Sequence, residues 1–207
     1  MNTKAYEKLN YTLCLLGTAA DGKRQGCIIN SLHQVSSSMP AMFSVTLNKS
    51  NETCKALQKS GSFAVTVLGK DSTKELINQF GYKSGRVGDK FTAFDAKSDE
   101  AGNPYLTDHM VALISAKVVN QVEVGNYILF IAEVTNAQVL AEDAAMTLTD
   151  YLNIGKATPP AATVYRTLEA NSGWVCPICG FVYDGDVIPE GYICPICRCE
   201  GSKFIKR

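Results

Sequence analysis

Two pairs of cysteines near the end of the chain carry the plainest chemistry in this sequence. Cys176-Pro177-Ile178-Cys179 and Cys194-Pro195-Ile196-Cys197 are separated by fourteen residues. Each C-x-x-C can turn tightly enough for both sulfurs to face one point, and two such turns complete a tetrahedron of thiolates suited to zinc or iron. Gly180 allows the turn after the second sulfur, leaving backbone N–H groups free to point at sulfur. Two disulfides in a secreted mini-domain would use the same residues, but nothing else in the chain supports secretion. A thioredoxin-like pair accounts for one C-x-x-C and not two. Between a structural zinc ribbon and an iron site these knuckles do not choose. Of the eight cysteines, Cys199 lies off the pattern and reads as a spare thiol. Cys14, Cys27 and Cys54 sit among apolar neighbours and read as small core residues.

A second chemistry lies at the junction Leu47-Asn48-Lys49-Ser50-Asn51-Glu52-Thr53. There a strand gives way to a polar loop and a helix begins. A helix start offers unpaired N–H groups and the positive end of the dipole, which suits phosphate, and Lys49, Ser50, Asn51 and Thr53 add charge and donors. Spacing alone favours an ordinary cap with a solvated lysine. Asn30-Ser31-Leu32-His33-Gln34-Val35-Ser36, continuing to Met39-Pro40, is a Ser-rich loop that could wall a pocket for a polar heteroaromatic ring. Residues 81–91, which include Lys83, Ser84, Arg86 and Lys90, add two Gly-flanked basic residues, without a G-x-G-x-x-G or P-loop pattern. His33 and His109 have no evident catalytic partner and read as surface or structural residues.

The elements that would position these groups are mostly strands. Residues 42–47, 62–68, 111–119 and 127–134 are rich in Val, Ile, Phe and Tyr, and 13–18 and 26–30 form two shorter strands around Asp21-Gly22. Gly125-Asn126 is a hairpin turn between the last two long strands. Short helices start near Asn51 and near Asp71, and 143–152 forms a third; Pro159-Pro160 stops further helix. Six or more strands with few helices predict a closed or nearly closed antiparallel barrel. Glu169 to Gly173 is a polar linker, and the segment after it is too short for a hydrophobic core without a staple.

Composition agrees with a folded chain of one ordinary domain plus a small one. The 207 residues are 46% hydrophobic and 19% charged, with 20 basic and 20 acidic side chains. No basic half invites nucleic acid, and the longest central apolar run, 127–132, is far below a membrane span. The apolar stretch 13–20 follows Lys4 and Lys8, but Glu7 and the polar 10–12 argue against a signal peptide.

Trp174-Val-Cys-Pro-Ile-Cys-Gly-Phe-Val-Tyr183-Asp-Gly, then Ile188-Pro189-Glu190, the second C-P-I-C and Phe204 resemble a rubredoxin domain over 174–207. That resemblance implies one iron per chain (Fe2+/Fe3+) on Cys176, Cys179, Cys194 and Cys197, with Trp174, Tyr183, Tyr192 and Phe204 packed beside it. The short gap between knuckles is closer to the abbreviated domain of rubrerythrins, and Arg198 replaces the usual Gly.

Gly26-Cys27-Ile28-Ile29-Asn30-Ser31, Gln34-Val35-Ser36 with Pro40, Asn48-Lys49-Ser50 with Thr53, Phe63-Ala64-Val65, Ser84-Gly85-Arg86 with Asp89-Lys90-Phe91, and Val124-Gly125-Asn126 with 130–134 resemble the flavin reductase-like family in order and spacing. The resemblance runs from about residue 6 to 166. It implies an FMN-binding split barrel and a homodimer, with Asn30, Ser31, Gln34, Val35 and Ser36 against the flavin ring. It implies Asn48, Lys49, Ser50 and Thr53 near the phosphate and Ser84, Arg86 and Lys90 near the cofactor. Asn126 stands where many relatives have His.

The fold class expected is therefore mainly β: an antiparallel split β-barrel with short helices over 1–168, a linker at 169–173, and an iron-stapled rubredoxin-like domain over 174–207. The combination resembles the high-molecular-weight rubredoxins. It implies an NAD(P)H oxidoreductase of the cytoplasm that passes electrons through FMN and iron to a flavodiiron protein or another one-electron protein acceptor, with no membrane or nucleic-acid partner. No catalytic acid or base is implied, because hydride transfer depends chiefly on placing the nicotinamide against the flavin. The alternatives are a flavin reductase that releases reduced FMN to a monooxygenase, and a non-enzymatic FMN-binding module with a zinc ribbon.

Overall fold

Runs rich in Val, Ile, Leu and Phe make most of this chain strand, and short turns join several of them into hairpins. The computed structural model describes residues 3–153, 158, 162–164, 173–177, 182–183, 185–194 and 199–206. β1 (Cys14–Ala20) and β2 (Lys23–Ile29) are joined by Asp21-Gly22, both with positive φ (52° and 71°), as a two-residue hairpin of right-handed twist requires. β3 (His33–Ser36), β4 (Met42–Asn48), α1 (Glu52–Ser60), β5 (Ser62–Leu68) and α2 (Lys74–Gly81) follow. A minor pair, β6 (Lys97–Ser98) and β7 (Pro104–Tyr105), precedes the long hairpin of β8 (Met110–Val124) and β9 (Tyr127–Val139) and then α3 (Leu148–Asn153).

Seven strands form one antiparallel sheet in the order β2-β1-β5-β8-β9-β4-β3. Leu16, Ile29, Val45, Phe63, Ala116 and Phe130, from six different strands, meet in one buried cluster with Cys54 and Leu57 of α1. Strands far apart in the sheet order can share a core only if the sheet curls, which gives the split barrel with α1 plugging it. The outer face buries Leu13, Leu15 and Leu68 against Leu76, Ile77 and Phe80 of α2 and against Phe91. Close packing sets residue choice where this layer meets β7: a Cβ on Gly17 would lie 1.9 Å from the Pro104 carbonyl oxygen.

Several expectations shift. α2 starts at Thr73, whose Oγ1 accepts from Leu76 N at 3.2 Å, rather than near Asp71. Asp71 instead takes the His109 ring at 2.6 Å. β8 and β9 each run five residues beyond the expected ends, because cross-strand pairing continues to Val124–Tyr127 at one end and Ala112–Val139 at the other. Exposed polar residues on this arm hide the strand pattern. Residues 33–36, read as loop, form an edge strand bulged between Gln34 and Ser36 and pairing only with β4. An edge strand this short and polar has no apolar alternation to read. The expected helix over 143–152 is realised as α3 alone. The linker at 169–172 and Pro159-Pro160 lie outside the described residues.

The last segment forms its own sheet, β11-β10-β12, from β10 (Trp174–Val175), β11 (Val182–Tyr183) and β12 (Ile205–Lys206). Tyr192 packs between Tyr183 (centroids 4.8 Å) and Phe204 (5.7 Å), and the Trp174 indole donates to the Asp186 carbonyl at 3.0 Å. These are the four aromatic residues expected beside the cysteines. The described helices include none long and apolar enough to cross a membrane.

Candidate functional site

A cavity of about 780 Å³ opens between the end of β4, the start of α1, the end of α2 and residues 82–90. That volume suits a cofactor-sized ligand, since such pockets run from about 300 to 1,000 Å³. Its most telling residue is Lys90. The side chain is 6% exposed, and Nζ donates to the carbonyls of Lys83 (3.2 Å) and Phe80 (3.4 Å) and lies 5.6 Å from the Phe80 ring centroid. Among the described residues no carboxylate pairs with it. Burial holds this ammonium below its ordinary pKa, while the Cys27 thiol nearby pulls the other way. A buried cation without an acidic partner is costly unless a ligand supplies the missing negative charge.

The mouth is built by local caps. Asn51 caps α1, its side chain accepting from Thr53 N at 3.0 Å, while Asn48 Oδ1 accepts from both N and Oγ of Ser50 (2.9 and 2.8 Å). Glu52, in the first turn, accepts from Lys55 at 2.8 Å and from Arg86 at 2.9 Å. These cations, Lys55 foremost, hold its carboxyl below the usual carboxylate range. On the far wall Tyr82 and Tyr151 share a buried hydroxyl contact, and burial drives the Tyr151 phenol strongly upward.

Of the residues singled out from the sequence, Asn30, Asn48, Ser50, Ser84, Arg86 and Lys90 line this cavity together. Asn30 is occupied: its Nδ2 donates to the Val164 carbonyl at 3.3 Å and its Oδ1 accepts from Thr163 at 2.7 Å. It thereby holds residues 163–164 against the cavity. The others are not brought to the wall. Ser31 is buried and clips β4, exchanging hydrogen bonds with both N and O of Thr46 (3.1 and 2.9 Å). Gln34, Val35 and Ser36 ride the edge strand β3, with Val35 57% exposed. Lys49 turns away to Glu123 at 2.6 Å. Thr53 is buried beneath the α1 start, and Asn126 is exposed at the hairpin tip.

Sequence reasoning missed Glu52 as a wall residue, the Tyr82–Tyr151 pair, and the contribution of Thr158 and Thr163. No local pattern marks these last two; Thr163 reaches the wall because the chain folds back across 133 residues to Asn30. Cys14, Cys27 and Cys54 are buried as expected, and desolvation pushes the Cys14 thiol up to about 12.

In the small sheet, Cys176 and Cys194 are fully buried, and their sulfurs lie with that of Cys199 within 4.8 Å of one another. Cys179 and Cys197 lie outside the described residues. A dry cluster of soft thiol donors fits a thiophilic metal such as iron or zinc.

Residues 6–154 match the model of the flavin reductase like domain, and residues 174–205 match that of the rubrerythrin, rubredoxin-like domain. The chain belongs to the flavin reductase-like family and carries a rubredoxin-like domain after the barrel. It is 37% identical over 193 residues to a high molecular weight rubredoxin of Moorella thermoacetica, covering 89% of this chain and 83% of the relative. It is also 37% identical over 167 residues to a ferric-chelate reductase (NAD(P)H) of Archaeoglobus fulgidus, covering 80% of this chain and 98% of that one. Among solved structures, the flavin reductase PheA2 superposes with a TM-score of 0.57 at 26% identity, covering 71% of this chain and 93% of PheA2. The protein is an oxidoreductase with the two domains of a flavin-linked, rubredoxin-type electron carrier.

Proposed function

We propose that this chain moves electrons from NAD(P)H, through FMN held in the cavity, to one Fe per chain on Cys176, Cys179, Cys194 and Cys197, and on to a protein acceptor. The observation that carries the reading is the buried, carboxylate-free Lys90 in a cofactor-sized cavity, on a chain that also gathers buried thiols. When bound, the flavin supplies two-electron chemistry and the Cys₄ iron one-electron chemistry, so their union converts hydride equivalents to single electrons.

The chain's own part is to bind, orient and exclude water. Lys90 supplies a fixed positive charge to an anionic part of the cofactor, or to negative charge gathering on its ring, in a dry wall where such charge is most effective. Ser50 and Ser84, at the α1 start and in the 81–91 loop, offer hydroxyls to a phosphate. Arg86 can exchange its exposed Glu52 partner for phosphate, a bidentate match for a guanidinium. Asn30 acts through residues 163–164, which it holds as a wall. Phe80 and the buried Tyr82–Tyr151 pair give the cavity an apolar wall that excludes water. The thiols of Cys176 and Cys194 are fully buried, so a metal held there would be screened from water on that side.

Several further parts belong to the same proposal. The domains divide at 1–168, 169–173 and 174–207. The acceptor is a flavodiiron protein or another one-electron carrier. The protein is a homodimer, a reading supported by the exposed Val119, Val122 and Val124 of the β8 arm and by Val35 on β3 and Met39 just after it. Three buried free thiols in the barrel suit a reducing cytoplasm. The match of the barrel to nearly all of a ferric-chelate reductase favours one second reading, in which small ferric chelates take electrons from the flavin directly.

Metal and flavin analysis of protein from its native host tests the whole. Expected are one iron and one FMN per chain, with both chromophores bleaching on anaerobic addition of NADH or NADPH. Stoichiometric zinc in place of iron would overturn the relay.

A further inference from the structure

Cys199 stands two residues beyond the second C-P-I-C, yet its sulfur lies 3.3 Å from that of Cys176. Its placement is built. The Cys194 N–H donates to the Cys199 carbonyl at 2.8 Å, Gly201 N–H donates to the Tyr192 carbonyl at 2.6 Å, and Ile193 bridges Glu200. This pairing holds 192–194 against 199–201 and brings the Cys199 side chain to the cluster. Gly201 closes the pairing, since a Cβ there would meet Ile188 at 2.6 Å and Tyr192 at 3.0 Å.

The four C-P-I-C cysteines already complete a metal tetrahedron, which leaves Cys199 as a fifth thiol beside it. A disulfide closes to about 2.05 Å. The observed 3.3 Å is far too long for that bond. It fits a hydrogen bond between sulfurs. Direction follows from chemistry: a metal-bound cysteine has lost its proton and can only accept, so the donor is Cys199.

We propose that Cys199 donates an S–H···S hydrogen bond to the Cys176 thiolate of the metal centre and thereby raises its reduction potential. This rests on the Cys₄ iron reading. Reduction adds one electron and no proton, taking iron plus four thiolates from one net negative charge to two. A donor to sulfur stabilises the more negative state more, so the reduced form gains. Cys199 is a positioning residue in this account, touching a ligand and not the iron.

Redox titration of the full-length protein, followed at the sulfur-to-iron absorption and paired with metal analysis, tests this in wild type, Cys199→Ala and Cys199→Ser. Cys199→Ala should keep its iron and absorption pattern while its reduction constant falls by up to about tenfold, which for a one-electron couple is about 59 mV. Cys199→Ser keeps a donor and should lie nearer to wild type. A purely structural disturbance would move both variants alike. Wild-type potential in both variants overturns the inference alone. Loss of iron or of the four-thiolate absorption in Cys199→Ala also overturns it, since Cys199 would then be a ligand. Absence of iron from the wild-type protein overturns both this and the relay.

Discussion

Replacing Lys90 by Met separates a structural lysine from a cofactor-binding one, because the two roles predict opposite signs. Lys90 is 6% exposed, and its Nζ makes two long contacts, to Lys83 O at 3.2 Å and Phe80 O at 3.4 Å. Met keeps the length and apolar packing of the stem and removes the charge. A hydrogen bond to a charged group contributes about 1.5–3 kcal/mol, and each 1.4 kcal/mol is tenfold, so FMN affinity should fall by about ten- to a hundredfold. The FMN-free protein should be no less stable, since removing a desolvated cation offsets the loss of two weak contacts. Flavin titration by fluorescence gives the first number and urea unfolding of the FMN-free protein gives the second.

The pH dependence carries the same sign. Burial lowers the folded pKa of Lys90 below 10.5. Between the folded and unfolded values the unfolded chain binds more protons, so wild-type stability rises with pH across that window. Lys90→Met lacks that contribution. Unchanged FMN affinity, or a large loss of stability in the FMN-free variant, would refute the reasoning and make Lys90 a structural residue. Lys49→Ala is the internal comparison: with its charge already on Glu123 at 2.6 Å outside the cavity wall, it should weaken FMN less.

Three other outcomes follow from the same structure. Gly17→Ala should destabilise the barrel by about 1–3 kcal/mol in urea, because its Cβ would meet backbone at Pro104, which cannot swing aside as a side chain could. Asp71→Asn should flatten stability against pH near neutrality: Asp71 raises the His109 pKa, so in wild type this contribution is full below about 6.5 and fades as pH climbs through the raised value. Deleting 172–207 should leave NAD(P)H-dependent flavin reduction nearly intact, as the barrel relative of similar length suggests, and abolish fast delivery to a one-electron protein acceptor. A truncated protein feeding that acceptor at the full rate would end the relay reading, whatever its flavin content.

The strands of the barrel were legible because each needs only local information. Residues 62–68 are a short, nearly continuous apolar run rich in Val and Phe, as a strand buried on both faces requires, and Asp21-Gly22 and Gly125-Asn126 supply turns whose backbone demands are met by residue type. The doubled C-P-I-C is equally local, since each pair of ligand residues is spelled out within four positions. The polar end of the β8–β9 arm and the edge strand β3 were not legible. Their hydrogen bonds are satisfied by neighbours distant in sequence, and no buried face leaves a period.

The site divides the same way. Sequence alone put Ser84, Arg86 and Lys90 near one another and Asn48 and Ser50 at a helix start. Only tertiary structure decided that Lys90 is buried without a carboxylate while Lys49, the more obvious phosphate ligand, spends its charge on Glu123. It decided that Asn30 grips 163–164 and that Ser31 clips β4. It also brought Cys199, set aside as spare by its spacing, to 3.3 Å from Cys176. Residue type and spacing determine which chemistry is available and which turns form. Burial and long-range partners, which set the charge and proton each group keeps, arise only when the chain closes on itself.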